Sequence, residues 1–125
     1  MAAGQFRLGS LVCIVDRNHL SIDGDTEDLM GVEPLEEKFS AFRWKVQRVD
    51  GHDLDALLDA FSALDGNPEG GPQVIIADTV KGRGVSRMEG DVAWHVGKLD
   101  GGDYDDVIAE LQRGLQPIGT GANHG

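Results

Sequence analysis

The sequence is short of cysteine, of basic residues and of long apolar runs, and each shortage removes a class of protein. A lone cysteine, Cys13, leaves no partner for an intrachain disulfide. That excludes a disulfide scaffold and agrees with a reducing compartment. Lys and Arg number 11 against 22 Asp and Glu, for a formal net charge of −11. With no basic cluster to release counterions, a nucleic-acid partner is excluded. A diphosphate ligand is not, because a bound cation and main-chain N–H groups offset its charge locally. No apolar run is long enough to span a bilayer, and the N-terminus lacks the apolar core and cleavage site of a secretory signal. The expectation is a soluble, cytoplasmic protein with no membrane partner. Internal repeats are absent as well.

What is present reads as one α/β domain. A chain of 125 residues can bury roughly two-thirds of its unfolded surface. Leu11 to Val15 is rich in β-branched residues and predicts a buried strand, with Cys13 as a small apolar member of it. Trp44 to Val49 alternates and predicts a second strand; Gln73 to Thr79 predicts a third, buried one. Between them, Thr26 to Met30 predicts a single helical turn and Pro34 to Phe42 a helix with Pro in its first turn. Leu54 to Leu64 predicts a helix capped by Asp53, with a core-facing stripe of Leu54, Leu57, Leu58, Phe61 and Leu64. A final helix is expected from Tyr104 to Leu115 with Asp103 as its cap, and a disordered tail over 117–125. Strands alternating with helices imply a mainly parallel sheet of about three strands with flanking helices.

Two stretches carry chemistry. Asn18 lies in the polar stretch just past the first strand, and ligands of open α/β sheets collect at the carboxyl ends of strands. Its neutral amide oxygen suits a hard cation such as Mg²⁺, which shares its ligands readily with phosphate. A calcium loop framed by Asp16, Asn18 and Glu27 fails at Leu20, where a ligand is needed, and at Ser21, where the turn needs Gly. The second stretch, Lys81-Gly82-Arg83-Gly84, lacks the spacing of a nucleotide-binding P-loop. Its glycines let main chain approach a ligand closely, while Lys81 or Arg83 can face phosphate. Lys81 to Gly102 is otherwise aperiodic and is expected to be a long surface loop. His19 and His52 read as residues of a turn and a loop end.

The stretch Val15-Asp16-Arg17-Asn18-His19-Leu20-Ser21-Ile22-Asp23-Gly24 resembles the thiamine-diphosphate domain of transketolases, above all those split into two subunits. Val80-Lys81-Gly82-Arg83-Gly84-Val85-Ser86, followed by Trp94-His95, resembles a second block of the same family at matching distance. The resemblance implies thiamine diphosphate and Mg²⁺ as cofactors, with Mg²⁺ held by the Asn18 side chain and the Leu20 carbonyl. It implies an apolar contact from Ile22 to the cofactor rings, diphosphate contacts from Lys81 and Gly82, and a catalytic, cofactor-facing role for His95. Val96 departs from the family's usual glycine, and a β-branched residue alters that turn. The reaction implied is transfer of a two-carbon ketol unit between sugar phosphates. Residues 1–116 would form the back half of the diphosphate domain, the chain starting within it. The upstream Gly-Asp-Gly half and the pyrimidine domain would come from elsewhere, so the isolated chain is expected to be inactive and to self-associate. The alternatives are a non-catalytic remnant or binding module on the same scaffold, and a component of another thiamine-diphosphate enzyme. Trp94-His95 favours transketolase over the latter.

Overall fold

Three runs of β-branched and polar residues form a parallel sheet because each is too short for a helix and is followed by turn residues. In the computed structural model, which describes residues 1–114, they are β1 (Val12–Arg17), β2 (Lys45–Asp50) and β3 (Gln73–Asp78). The sheet order is β1-β3-β2, with β3 parallel to both neighbours. Five helices accompany it: α1 (Ala2–Gln5), α2 (Thr26–Met30), α3 (Leu35–Ala41), α4 (Leu54–Ser62) and α5 (Gly101–Gly114). The fold is the expected small α/β arrangement of a three-stranded parallel sheet with flanking helices. No helix among the described residues is long and apolar enough to cross a membrane. The expected tail and Leu115 lie outside the described residues.

The core is β3. Val74, Ile75 and Ile76 are fully buried, each contributing roughly 1.5–3 kcal/mol relative to exposure. Gln73, also buried, is satisfied by one loop residue: Asp65 N–H donates to its Oε1 and its Nε2 donates to Asp65 O, both at 2.8 Å. Successive side chains of a strand point to opposite faces, and β2 reveals what covers each. Arg48 reaches Glu33 and Glu36 beside α3, whereas Gln47 Nε2 donates to Ala60 O of α4 at 3.1 Å. The two helices therefore lie on opposite faces.

Several expectations change in detail. The Asp53 cap of α4 is as predicted, accepting from Asp55 and Ala56 N–H at 3.0 Å. Its stripe is only partly core-facing: Leu57 and Leu64 are half-buried, whereas Leu54 is 74% and Leu58 64% exposed, and Phe61 is also exposed. On β1, Ile14 is 57% exposed, so this is an edge strand with an open face rather than a buried one. Helix α5 starts at Gly101 because Asp100, not Asp103, accepts from the first N–H groups; Asp103 pairs with Arg87 instead. The expected loop ends at Asp100, because Gly101 and Gly102 belong to α5; its first part is a chain of turns pinned by buried Val85 and by Ser86 N–H donating to Glu110 Oε1 at 3.0 Å. A 3₁₀ turn over Val92–His95 follows. At the amino end, Gly4 of α1 is buried against Phe42, so this piece is packed rather than frayed.

A set of ion pairs joins the two edge strands across the Arg48 face. Arg17, 4% exposed, donates from Nε to Glu33 Oε1 at 2.8 Å, from Nη1 to Thr26 Oγ1 at 2.9 Å and from Nη2 to Glu27 Oε1 at 2.8 Å. Arg48 binds Asp78 with two parallel bonds of 2.7 and 2.8 Å and also reaches Glu33. Arg17 first, then the Leu35 N–H and Arg48, hold the Glu33 carboxyl at about 2 instead of 4.5. Arg48 likewise holds Asp78 below the usual carboxylate range.

Replacing Arg17 with Leu leaves Glu27 without a cation and Glu33 with Arg48 alone, and should cost roughly 2–3 kcal/mol in urea unfolding, the partial exposure of Glu27 and Glu33 keeping it below the loss for a fully buried pair. The Glu33 contribution has a defined pH window. The folded chain holds that proton less tightly than the unfolded one, so the stabilisation is complete above pH 4.5 and disappears as pH falls toward about 2. Urea midpoints measured across that window should fall less steeply in Glu33→Gln than in the wild type.

Candidate functional site

The register brings the ends of all three strands to one level, pairing Arg17 and Asp50 with Asp78 on either side. Residues just past these ends therefore sit side by side. Thr79 N–H donates to Arg17 O at 3.1 Å and Gly51 N–H to Asp78 O at 2.7 Å, while the Thr79 hydroxyl bonds the Asp16 carboxylate. Two adjoining grooves open over this surface.

The first groove, about 590 Å³, is lined by Asp16, Asn18, Lys81, Gly82, Met88 and Leu111 among others. Asn18 is half-buried and faces this groove instead of the packed interior. Its Oδ1 accepts the Leu20 N–H at 2.9 Å, an Asx turn that fixes the amide orientation. An amide oxygen has two lone pairs, so the second remains available to a cation. His19, between them, takes a left-handed φ of 64° to make that turn. Across the groove, Gly82 has φ 74°, and a Cβ there would lie 2.5 Å from the Met88 carbonyl oxygen, so only glycine fits. Lys81 is half-buried beside it, while Arg83 leans toward Glu89 at 3.8 Å.

The second groove, about 460 Å³, is lined by His19, Asp50, His52, Asp78, Thr79 and Arg83 among others. Here His19 Nε2 lies 3.7 Å from Asp78 Oδ1, and His52 Nε2 accepts the Val80 N–H at 2.7 Å. Both volumes fall within the roughly 300–1,000 Å³ usual for small-molecule sites.

Of the six residues expected to form the site, Asn18, Lys81 and Gly82 converge in the first groove. Leu20 contributes its N–H to the Asx turn and bridges to Asp25, and Ile22 is exposed on the turn that follows. His95 is exposed at the end of the 3₁₀ turn. These three line neither groove. The residues that sequence reasoning passed over are His19 and His52, which the strand register delivers to the site. The available signal was the position of each, immediately beyond a strand's carboxyl end.

The donor set suits a hard cation only in part. No group of three His, Cys, Asp or Glu side chains assembles among the described residues to hold a metal ion. Asn18 Oδ1 matches a cation such as Mg²⁺ that completes its shell with phosphate oxygens and water. The half-buried Lys81 and the close main-chain approach allowed by Gly82 suit the phosphate side of such a pair.

Gly82→Ala should destabilise the chain by roughly 1–3 kcal/mol, since it adds left-handed strain to a backbone clash. Gly90 has φ 68° with open space around it, so Gly90→Asn should change the thermal midpoint little. Equal losses from the two would show that the Met88 contact does not fix the turn.

Comparison with known proteins bears on the family and the fold. Residues 1–118 match the family described as transketolase, thiamine diphosphate binding domain. One of the subunits of the apulose-4-phosphate transketolase of Phocaeicola vulgatus is 34% identical over 118 residues, covering 94% of this chain and 42% of that protein. The 6-deoxy-6-sulfo-D-fructose transketolase subunit SqwG of a Clostridium species is 39% identical over 113 residues, covering 90% of this chain and 41% of that protein. The crystal structure of Campylobacter jejuni transketolase superposes with a TM-score of 0.74 at 27% identity over 90% of this chain and 17% of that one. The chain thus spans about two-fifths of the length of these subunit relatives. With the matched family covering nearly all of its residues, the chain belongs to the transketolase thiamine-diphosphate-binding domains.

Proposed function

We propose that this chain supplies the Asn18 side of a diphosphate and Mg²⁺ site in a thiamine-diphosphate-dependent transketolase. The whole assembly moves a two-carbon ketol unit between sugar phosphates. The observation that carries this reading is the convergence of Asn18 with Lys81 and Gly82 in one groove at the strand ends. Asn18 Oδ1 and the Leu20 carbonyl would hold Mg²⁺. Lys81 and the main chain at Gly82 would hold the diphosphate, and Ile22 would cover the rings. Bound thiamine diphosphate supplies the carbon nucleophile that accepts and releases the ketol unit. The protein's part is to hold the diphosphate end still and to neutralise its charge. His95, an imidazole able to move a proton near neutrality, would join the site from the 3₁₀ turn.

Two relatives carry names that make them one component of a multi-chain transketolase, which supports a second chain bearing the pyrimidine domain as partner. Because this chain covers about two-fifths of those relatives, the remaining Mg²⁺ and substrate ligands would come from residues beyond these 125. The isolated chain is then inactive. Exposed Ile14, Leu54, Leu58 and Phe61 support self-association when no partner is present. A non-catalytic binding module on the same scaffold is the second reading, favoured by the exposure of His95 away from both grooves and by Val96 beside it, 80% exposed.

Titration calorimetry with thiamine diphosphate and Mg²⁺ tests the site. Saturable binding is expected, weakened roughly tenfold or more by Asn18→Ala; no heat at millimolar ligand would sink the assignment. Ketol transfer should be absent from the chain alone and appear on adding the missing diphosphate-domain half and a pyrimidine-domain chain. Cofactor binding without any activity in that mixture favours the binding module. Light scattering should give a mass above that of one chain, and a monomer of high thermal stability would remove the self-association claim.

A further inference from the structure

We propose that His52 is a positioning residue for the cofactor groove, holding the Val80 to Arg83 turn in place by accepting the Val80 N–H at its Nε2. The proposal rests on the diphosphate reading of that groove. The ladder supplies partners up to Thr79, whose N–H donates to Arg17 O. Val80 is the next residue, its N–H points away from the sheet's hydrogen bonds, and the imidazole, 28 positions earlier, takes it at 2.7 Å. The backbone of His52 is itself fixed, since its main-chain N–H donates to Asp50 Oδ1 at 2.8 Å. From Val80 the constraint passes into the turn: Arg83 N–H donates to Val80 O at 3.1 Å and Gly90 N–H to Lys81 O at 2.9 Å. Lys81 and Gly82 lie between these anchors, on the groove that also holds Asn18.

An imidazole nitrogen accepts only when it carries no proton, so this bond requires the neutral ring with its proton on Nδ1. Protonation of Nε2 would set a donor against a donor and release the turn. The charged groups that share the two grooves with His52 are His19, Asp50, Asp78 and Arg83 in one, and Asp16, Lys81 and Arg83 in the other. The hold on the turn therefore weakens as pH falls.

The test uses the full chain, with the amide-exchange protection of Val80 and calorimetric titration of thiamine diphosphate with Mg²⁺ as readouts. His52→Gln keeps a carbonyl acceptor the same number of bonds from the backbone but does not titrate; His52→Ala removes the acceptor. The expected results are wild-type Val80 protection that drops with falling pH, protection in H52Q that does not, and loss of protection in H52A at every pH. Affinity for the cofactor should fall roughly three- to tenfold in H52A and stay within about twofold in H52Q. Wild-type protection and affinity in H52A overturn the proposal, as does an H52Q variant no better than H52A. If H52A does not fold, the pH comparison between H52Q and the wild type decides by itself. If no protein binds the cofactor, the diphosphate reading fails separately, and Val80 protection in the free chain still decides what His52 does.

Discussion

One carboxylate, Glu33, lies between two guanidiniums that belong to strands with no contact of their own. Arg17 ends β1 and Arg48 lies on β2, and β3 separates them in the sheet. The bridge through Glu33 spans the face of β3 and fastens the connection that carries the chain from one edge to the other. It also fixes chemistry at the strand ends. Arg48 is committed to Asp78 and Glu33, and Arg17 to Glu27 and Glu33, so neither guanidinium is offered to a ligand. The positive charge facing the grooves comes from Lys81 and Arg83 instead.

Secondary structure was legible wherever one periodicity was strong. Gln73 to Asp78 is continuous and apolar at its centre and became the buried middle strand, and Asp53 before an apolar stripe became a capped helix. What a pattern cannot state is whether anything covers the apolar side it defines. Leu54, Leu58 and Phe61 of the α4 stripe and the Val12 and Ile14 side of β1 have the spacing of core faces yet remain open, because the described residues supply no second layer over them. The start of α5 departs from expectation for a local reason. Asp100 and Asp103 are both competent caps, and pairing with Arg87 claims one of them.

At the site, legibility followed locality. Asn18 was readable because a strand followed by an Asx turn is a short-range event, and Lys81-Gly82 because glycine was required there for a steric reason that the Met88 contact explains. The place of His52 at a strand end was readable, but its bond to Val80 was not, because the two are far apart in sequence and only the register of β2 on β3 brings them together. His95 marks the opposite case. Its motif stands out in the sequence, while its position depends on a turn that only local hydrogen bonds define, with Asp91 accepting from Ala93 N–H.

The middle strand of this sheet is the last of the three to occur along the chain. Antiparallel hairpins can zip as they emerge from the ribosome, but here the first two strands have no ladder to join until residues 73 to 78 arrive. The strand pairing of the described residues is therefore deferred to one event, the insertion of β3 between two waiting edges, which raises contact order. During synthesis, both edge strands are made before the strand that joins them.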